Sequence, residues 1–457
     1  MSVEPTIVDE PAVPRETEGV RLLQRVFGGT SLLVLGRIWG SACTFLALWL
    51  LADQLAGEDF GRYTFYLAAF MLLDSFVDCG TGSIAVQRTA DAPGRIPEVL
   101  AATRRIRGVA GLLGVVLVGG GAFVAGEPGA GWILLASLYP VSHVLELSAT
   151  VFRNRIAWGV PVAVRAFAST ASLGAVLLLL ALDVREPGIY LCGVAGGSAS
   201  ANLLLHLASR RHLPRERARE VPWRPILAAA APLGLAGLCQ QTYFYVDNLF
   251  VRALVGEVPL GHYNVGVRLM SVSIMVGVYA ALVALPWFKR EAAAGELGPA
   301  IARLGQPLFA AAGLLLGLVV PWGAALLRLF GEDFASAAPS LGWLLAAAAL
   351  VYPGATLMTG LVATGRTGLV LAVAATGLAL NLVGNAALVP RLGIEGAAIA
   401  TFATEGAVVL GAGWALAASG VRSLGGGAAW RWAGGPLLFG GALLLSSLWA
   451  PELAGGG

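Results

Sequence analysis

Charge is scarce in this chain: Asp, Glu, Lys and Arg make up 12% of its 457 residues, against about 25% in ordinary soluble domains. With 57% hydrophobic residues, that scarcity excludes a water-solvated fold for most of the chain. Cysteine is sparse too. Cys43, Cys79, Cys192 and Cys239 each stand alone in an apolar run, which excludes a disulfide scaffold and a Cys/His metal site; they read as small apolar fillers. No metal and no cofactor is expected. The first 26 residues lack the basic n-region and short apolar h-region of a secretory signal, so the first hydrophobic segment is expected to be retained. Large extramembrane loops are missing as well. That removes the scaffold on which a membrane glycosyltransferase or polymerase would mount its catalytic groups, so no enzyme activity and no catalytic residue is expected. The net charge of +3 is not gathered into a basic face, which argues against a nucleic-acid partner.

Long hydrophobic runs are what the chain has instead. A helix needs about 20 apolar residues to cross a bilayer. Such runs predict spans over 28–51, 63–80, 108–125, 131–152, 160–182, 188–209, 226–251, 260–288, 304–329, 341–363, 367–389, 395–418 and a shorter thirteenth over 433–450. The loops between them alternate in charge. With the N-terminus in the cytoplasm, 22 of the 30 Lys and Arg fall on the inner side and 5 on the outer, and Arg37, Arg165 and Arg268 lie inside spans. This is the excess of cytoplasmic Lys and Arg expected of a multi-pass protein, here of the cytoplasmic membrane.

Two outer loops share a pattern. Leu55-Ala56-Gly57-Glu58-Asp59-Phe60-Gly61-Arg62-Tyr63 starts the second span, and Leu254-Val255-Gly256-Glu257-Val258-Pro259-Leu260-Gly261-His262-Tyr263 starts the eighth. A G-E...G-x-Y motif recurring six spans later suggests a parallel repeat, with a substrate site between its halves. The expected organisation is a polar cytoplasmic tail (1–27), a first six-span lobe (28–209), a basic linker (210–225), a second six-span lobe (226–418) and an extension with the thirteenth span (419–457).

These stretches, with Asp78-Cys79-Gly80, Tyr245-Val246-Asp247, Gly261-His262-Tyr263-Asn264-Val265, Leu329-Phe330-Gly331-Glu332-Asp333-Phe334 and Asn381...Asn385...Pro390-Arg391-Leu392-Gly393-Ile394-Glu395-Gly396, give the chain its likeness. It resembles the polysaccharide-exporting, Wzx-like branch of the multidrug/oligosaccharidyl-lipid/polysaccharide (MOP) exporter superfamily over roughly residues 25 to 418. The resemblance implies an all-α fold of two six-helix lobes around a V-shaped cavity. It also implies that lipid-linked sugars, carried on polyprenyl pyrophosphate, are flipped from the inner to the outer leaflet by alternating access. Expected partners are that lipid-linked sugar, membrane lipids and polysaccharide-assembly proteins. A thirteenth span departs from the twelve usual in this branch.

A charge near the bilayer centre costs about 2.5–3.5 kcal/mol on insertion scales and marks function by default. Arg37 lies about 13 Å into the first span at about 1.5 Å per residue, on a face with Ser41 and Thr44. Arg268 lies at similar depth from the opposite side, on the stripe Asn264, Arg268, Ser271. A pyrophosphate suits the guanidinium fork, so Arg37 and Arg268, with Asn264 and Gln240, are the expected substrate-binding residues; pairing of an arginine with Asp74 or Glu405, or snorkelling to an interface, is the plainer alternative. Asp74, Glu405 and Asp247 are candidates for ion coupling or for charge partners. Asp78 is expected near the inner interface and solvated. His143 and Glu146 are expected to pair with Arg153 or Arg155 near the inner surface, and Arg165 to snorkel. Arg210, Arg211, Arg215, Arg217, Arg219 and Arg224 read as a headgroup anchor, and Gly313 and Gly317 as a close helix contact. An ion-coupled drug or metabolite antiporter of the MATE type and a non-transporting scaffold are the rival readings.

Overall fold

The computed structural model of the protein describes residues 15–55, 57–89, 93–155, 157–213, 221–421, 432 and 434–454; Arg215, Arg217 and Arg219 of the expected headgroup anchor lie outside them. Among the described residues every regular element is helical. The elements are α1 (Arg15–Gln54), α2 (Glu58–Thr89), α3 (Ile96–Val124), α4 (Ala130–Asn154), α5 (Gly159–Ala181), α6 (Pro187–Ser209) and α7 (Trp223–Tyr245). They continue with α8 (Asp247–Leu254), α9 (Glu257–Ala294), α10 (Leu297–Arg328), α11 (Glu332–Ala363), α12 (Thr367–Ala418) and α13 (Gly434–Ala454).

Ten of these segments are long and apolar enough to cross a membrane. The 52-residue α12 is two helices joined without a loop, because Gly393 adopts φ 59° and ψ −137°, a left-handed backbone that favours glycine. The expected eleventh and twelfth spans are these two. The expected seventh is α7 and α8, which part at Val246, and the expected thirteenth is α13. All thirteen expected segments are therefore helical.

Span two corrects its expected limits of 63–80. The helix starts at Glu58 and runs on to Thr89, bending where Cys79 and Gly80 take φ 40° and 73°. Asp78 thus sits well inside a long segment rather than at its end. Two further segments are irregular. α3 widens to a π-helix over Val115–Gly120, and α4 passes through 3-10 turns at Tyr139–Ser142 and Leu147–Ala149. Such departures in a membrane are tolerated where the backbone is buried in protein or lines a cavity.

The repeated motif does structural work at one end of the molecule. Gly57 and Gly256 both take positive φ just before their helices, and the helices they start, α2 and α9, cross tightly. A Cβ on Gly61 would lie 1.9 Å from the Glu257 carbonyl oxygen, and one on Gly261 would lie 2.8 Å from the Phe60 ring. The two copies of the motif therefore pack on each other through their second glycines. α2 also meets α7 farther along, where Gly80 faces the backbone of Ala230 and Gly234. Elsewhere α1 lies on α5, α5 on α6, and α11 on α12. α13 covers α10: a Cβ on Gly313 would strike the Gly435 carbonyl at 2.1 Å, and one on Gly317 the Phe439 carbonyl at 2.4 Å. The expected glycine contact is thus made, with the last helix as partner.

Candidate functional site: two arginines beside an apolar groove

α1 and α9 place Arg37 and Arg268 within electrostatic range of each other. Arg37 is exposed, and its guanidinium carbon stands 6.0 Å from the centre of the Tyr279 ring on α9. One turn on, the Ser41 hydroxyl approaches Met275 Sδ at 3.5 Å. Arg268 is partly buried, and its Nε has no hydrogen-bond partner among the described residues. The two guanidinium groups lie within electrostatic range of each other. Tyr245 on α7 lies in range of both, and Tyr63 on α2 faces Arg268. Two like charges placed close together with spare donors repel each other unless an anion neutralises them, and guanidinium groups favour one that can accept several N–H bonds.

The alternative ion pairs do not form. Asp74 is engaged by the Tyr139 hydroxyl and His143 Nε2, and Glu405 lies buried beside Tyr243. Asn264 is also turned away from the arginines, its Nδ2 donating to Thr64 Oγ1 at 3.1 Å and so tying α9 to α2. Gln240 is exposed on α7, next to Tyr243 rather than Arg268.

Beside Arg37 an apolar groove of about 630 Å³ opens between α1 and α9, lined by Ile38, Met275, Val276, Tyr279, Val283 and Trp287 among others. Tyr279 belongs to both features. A ligand anionic at one end and hydrocarbon at the other would find both kinds of surface within one side chain's width.

Two buried polar regions flank this site. In the first half of the chain Arg107, 3% exposed, reaches Asp78 through Nη2, Glu146 Oε2 at 3.1 Å through Nη1, and Thr81 Oγ1 at 2.9 Å through Nε. His143 lies between Asp74, 3.0 Å from Nε2, and Glu146, 2.9 Å from Nδ1, and Arg165 meets Glu146 Oε1 at 2.5 Å. The expected partners of His143 and Glu146, Arg153 and Arg155, are thereby replaced by Arg107, Arg165 and Asp74; Asp78 is ion-paired, and Arg165 does not merely snorkel. In the second half Asp247, 1% exposed, accepts from the Tyr263 hydroxyl and from Asn248 N at 2.8 Å and Nδ2 at 3.1 Å. On α12, Asn385 Nδ2 donates to Asn381 Oδ1 at 3.0 Å, and Asn381 Nδ2 and Asn385 Oδ1 are buried without partners among the described residues.

A fourth group escaped the sequence reading. At the crossing of α2 and α9, Arg62 pairs with Asp59 (2.8 Å), Glu257 (3.3 Å) and Glu127 (3.7 Å), while Arg252 meets both Glu127 and Glu257 at 2.6 Å. Arg252 also stacks 4.4 Å over Phe65. Glu257 stood in the repeat and could have been suspected, but Glu127 lies in an unremarked turn with no local signal.

No curated protein matches the chain in sequence. Solved structures do match its fold. The lipid II flippase MurJ in an inward closed conformation superposes with a TM-score of 0.70 at 13% identity, covering 93% of this chain and 99% of that one. An inward-facing multidrug resistance MATE family transporter of the MOP superfamily gives 0.63 at 14% identity, covering 82% and 95%. The Vibrio cholerae MATE transporter VcmN in its bent form gives 0.58 at 15% identity, covering 94% and 99%. The family model described as polysaccharide biosynthesis protein matches residues 26–291, more than half of the chain, and the chain accordingly belongs to that family, within the MOP superfamily of membrane transporters.

Proposed function

We propose that the protein is a flippase of the cytoplasmic membrane that moves an oligosaccharide carried on polyprenyl pyrophosphate to the outer leaflet by alternating access. The observation that carries this reading is that Arg268, whose Nε has no partner among the described residues, lies within electrostatic range of Arg37, which in turn stands over Tyr279 at the groove between α1 and α9. The arginines would hold the pyrophosphate; the groove would take the first isoprene units while the sugar occupies the space between α1, α2, α7 and α9. The excess of arginine in alternate loops supports an orientation with the N-terminus and the Arg88–Arg224 end in the cytoplasm. The ion cluster of Arg62, Arg252, Glu127 and Glu257 would then close the outer end.

The test is flipping of a fluorescent lipid-linked oligosaccharide in proteoliposomes. A double R37A/R268A variant, present in the bilayer at wild-type abundance, should lose at least about 100-fold in rate if each charge-assisted contact contributes about 1.5–3 kcal/mol. Wild-type flipping by the double variant would refute the assignment.

Asp247 and Glu405 favour a second reading, an ion-coupled antiporter, because both carboxylates are buried without an ion-pair partner among the described residues. That reading puts the cargo's energy source in the second half of the chain. It predicts that D247N stops transport of any cargo while R37A/R268A does not.

A further inference from the structure

His143 is held in a way that a neutral imidazole does not satisfy. Both of its ring nitrogens lie at hydrogen-bond distance from carboxylate oxygens, Asp74 Oδ1 at 3.0 Å and Glu146 Oε2 at 2.9 Å. A neutral ring has one N–H and one lone pair, and the lone pair would face an oxygen that has only lone pairs of its own. The arrangement is satisfied by an imidazolium donating on both sides, or by a proton carried on one of the carboxyls. Either way the group holds one labile proton more than a neutral His143 between two carboxylates.

We propose that His143, Asp74 and Glu146 form a proton-binding site that ties α2 to α4 when loaded and releases it when emptied. The proton on Nε2 would pass to Asp74 Oδ1, leaving a neutral ring whose lone pair accepts from the protonated carboxyl. Asp74, whose side chain is 34% exposed and which lies within electrostatic range of Tyr245, would hand it to water. With the proton gone, Asp74 and His143 no longer attract each other, and of the side-chain bonds to Asp74 across the α2–α4 contact only that from the Tyr139 hydroxyl is left, which loosens the contact.

The charged and titratable surroundings are accounted for on each packed element. α2 presents Asp74 and Asp78; α3 presents Arg107 and Arg104; α4 itself contributes Tyr139, Glu146 and Arg153; α5 contributes Arg165; α6 contributes His206, which bonds Ser148 at 2.8 Å; α7 contributes Tyr245, within electrostatic range of Asp74. Arg107 and Arg165 carry permanent charges beside Asp78 and Glu146, and histidine is the side chain whose ordinary charge change lies nearest neutral pH. Three backbone irregularities surround it: the Cys79–Gly80 bend in α2, the π-turn in α3 and the 3-10 turns in α4. Bends of this kind mark functional hinges more often than ordinary helix. The α2 bend lies five residues beyond Asp74, so the contact holds the helix just ahead of the point where 81–89 turns away. The site assists whichever cargo the protein carries, and it stands independently of the flippase assignment.

The experiment uses the full-length protein in lipid nanodiscs. Nitrogen-15 histidine spectra, with H143Q assigning the signal among the four histidines, should give protons on both His143 nitrogens at pH 7. Hydrogen exchange of residues 81–89 followed from pH 6 to 9, after correction for intrinsic rates, should rise in wild type by about tenfold per pH unit once the proton is lost. It should be flat and low in H143K, which keeps the charge but cannot shed it over that range, and flat and high in D74N. A bare ring nitrogen on His143 with both carboxyls ionised at pH 7 would overturn the proposal. So would H143K or D74N retaining the wild-type step, and either variant alone suffices if the other fails to fold.

Discussion

The two halves of the chain bury polar groups in opposite ways. In the first half, carboxylates and cations answer one another: Arg107 alone serves Asp78, Glu146 and Thr81, and Arg165 and His143 complete the pairing. In the second, apart from the Arg252–Glu257 pair at the α2–α9 crossing, Asp247 and Glu405 have hydroxyl and amide neighbours but no cation partner among the described residues, and two side-chain amide atoms on α12 have no partner among them either. A buried ion pair roughly offsets its own desolvation, whereas breaking one is costly. The first half is thus arranged so that losing a charge is penalised, and the second so that neutralising one is not.

The sharpest way to break this contrast is to remove the shared cation. R107A would take one cation from the buried Glu146, which keeps Arg165 and His143, and the only ion pair among the described residues from Asp78, whose side chain is 44% exposed. A cost of about 3 kcal/mol, the low end for a broken buried pair, is expected as a drop in thermal unfolding temperature in detergent, with R107K recovering part of it. The crossing of α2 and α9 comes next. G61A places a methyl group 1.9 Å from a backbone carbonyl, which no rotamer can relieve, so about 1–3 kcal/mol should be lost; a cross-link between positions 58 and 258 would form more slowly. The smallest effect belongs to the second half. D247N and E405Q should leave stability within about 1 kcal/mol of wild type or raise it, because an unpaired buried charge is removed. A drop as large as that of R107A would erase the distinction drawn between the halves.

Much of the fold could be read from the chain. Thirteen apolar runs and the arginine alternation foretold helices that all form, and the two G-E...G-x-Y stretches foretold a relation between α2 and α9. That those stretches would touch each other could not be read, because a repeat implies likeness and says nothing of contact. Arg37 and Arg268 were found by their cost in lipid, a signal that needs no partner. Asn264 and Gln240 were chosen by helical spacing alone, and spacing did not reveal that Thr64, 200 residues away, would take up the Asn264 amide. The partners of His143 were missed for a related reason: Asp74 and Arg107 lie 69 and 36 residues away in the chain, so no local spacing pointed to them, and span two, read as closing at Gly80, in fact bends there and continues to Thr89.

The glycine seam between α10 and α13 has a mechanical corollary. With Gly313 set against the Gly435 carbonyl, Gly317 against Phe439, and Gly435 itself against the Phe309 ring, the two rods are in backbone contact along their shared length. Neither can rotate or slide past the other without a steric collision. The terminal helix must ride with α10 as one stiff plank, so the surface that meets lipid on that flank as the transporter cycles is set largely by the last helix of the chain.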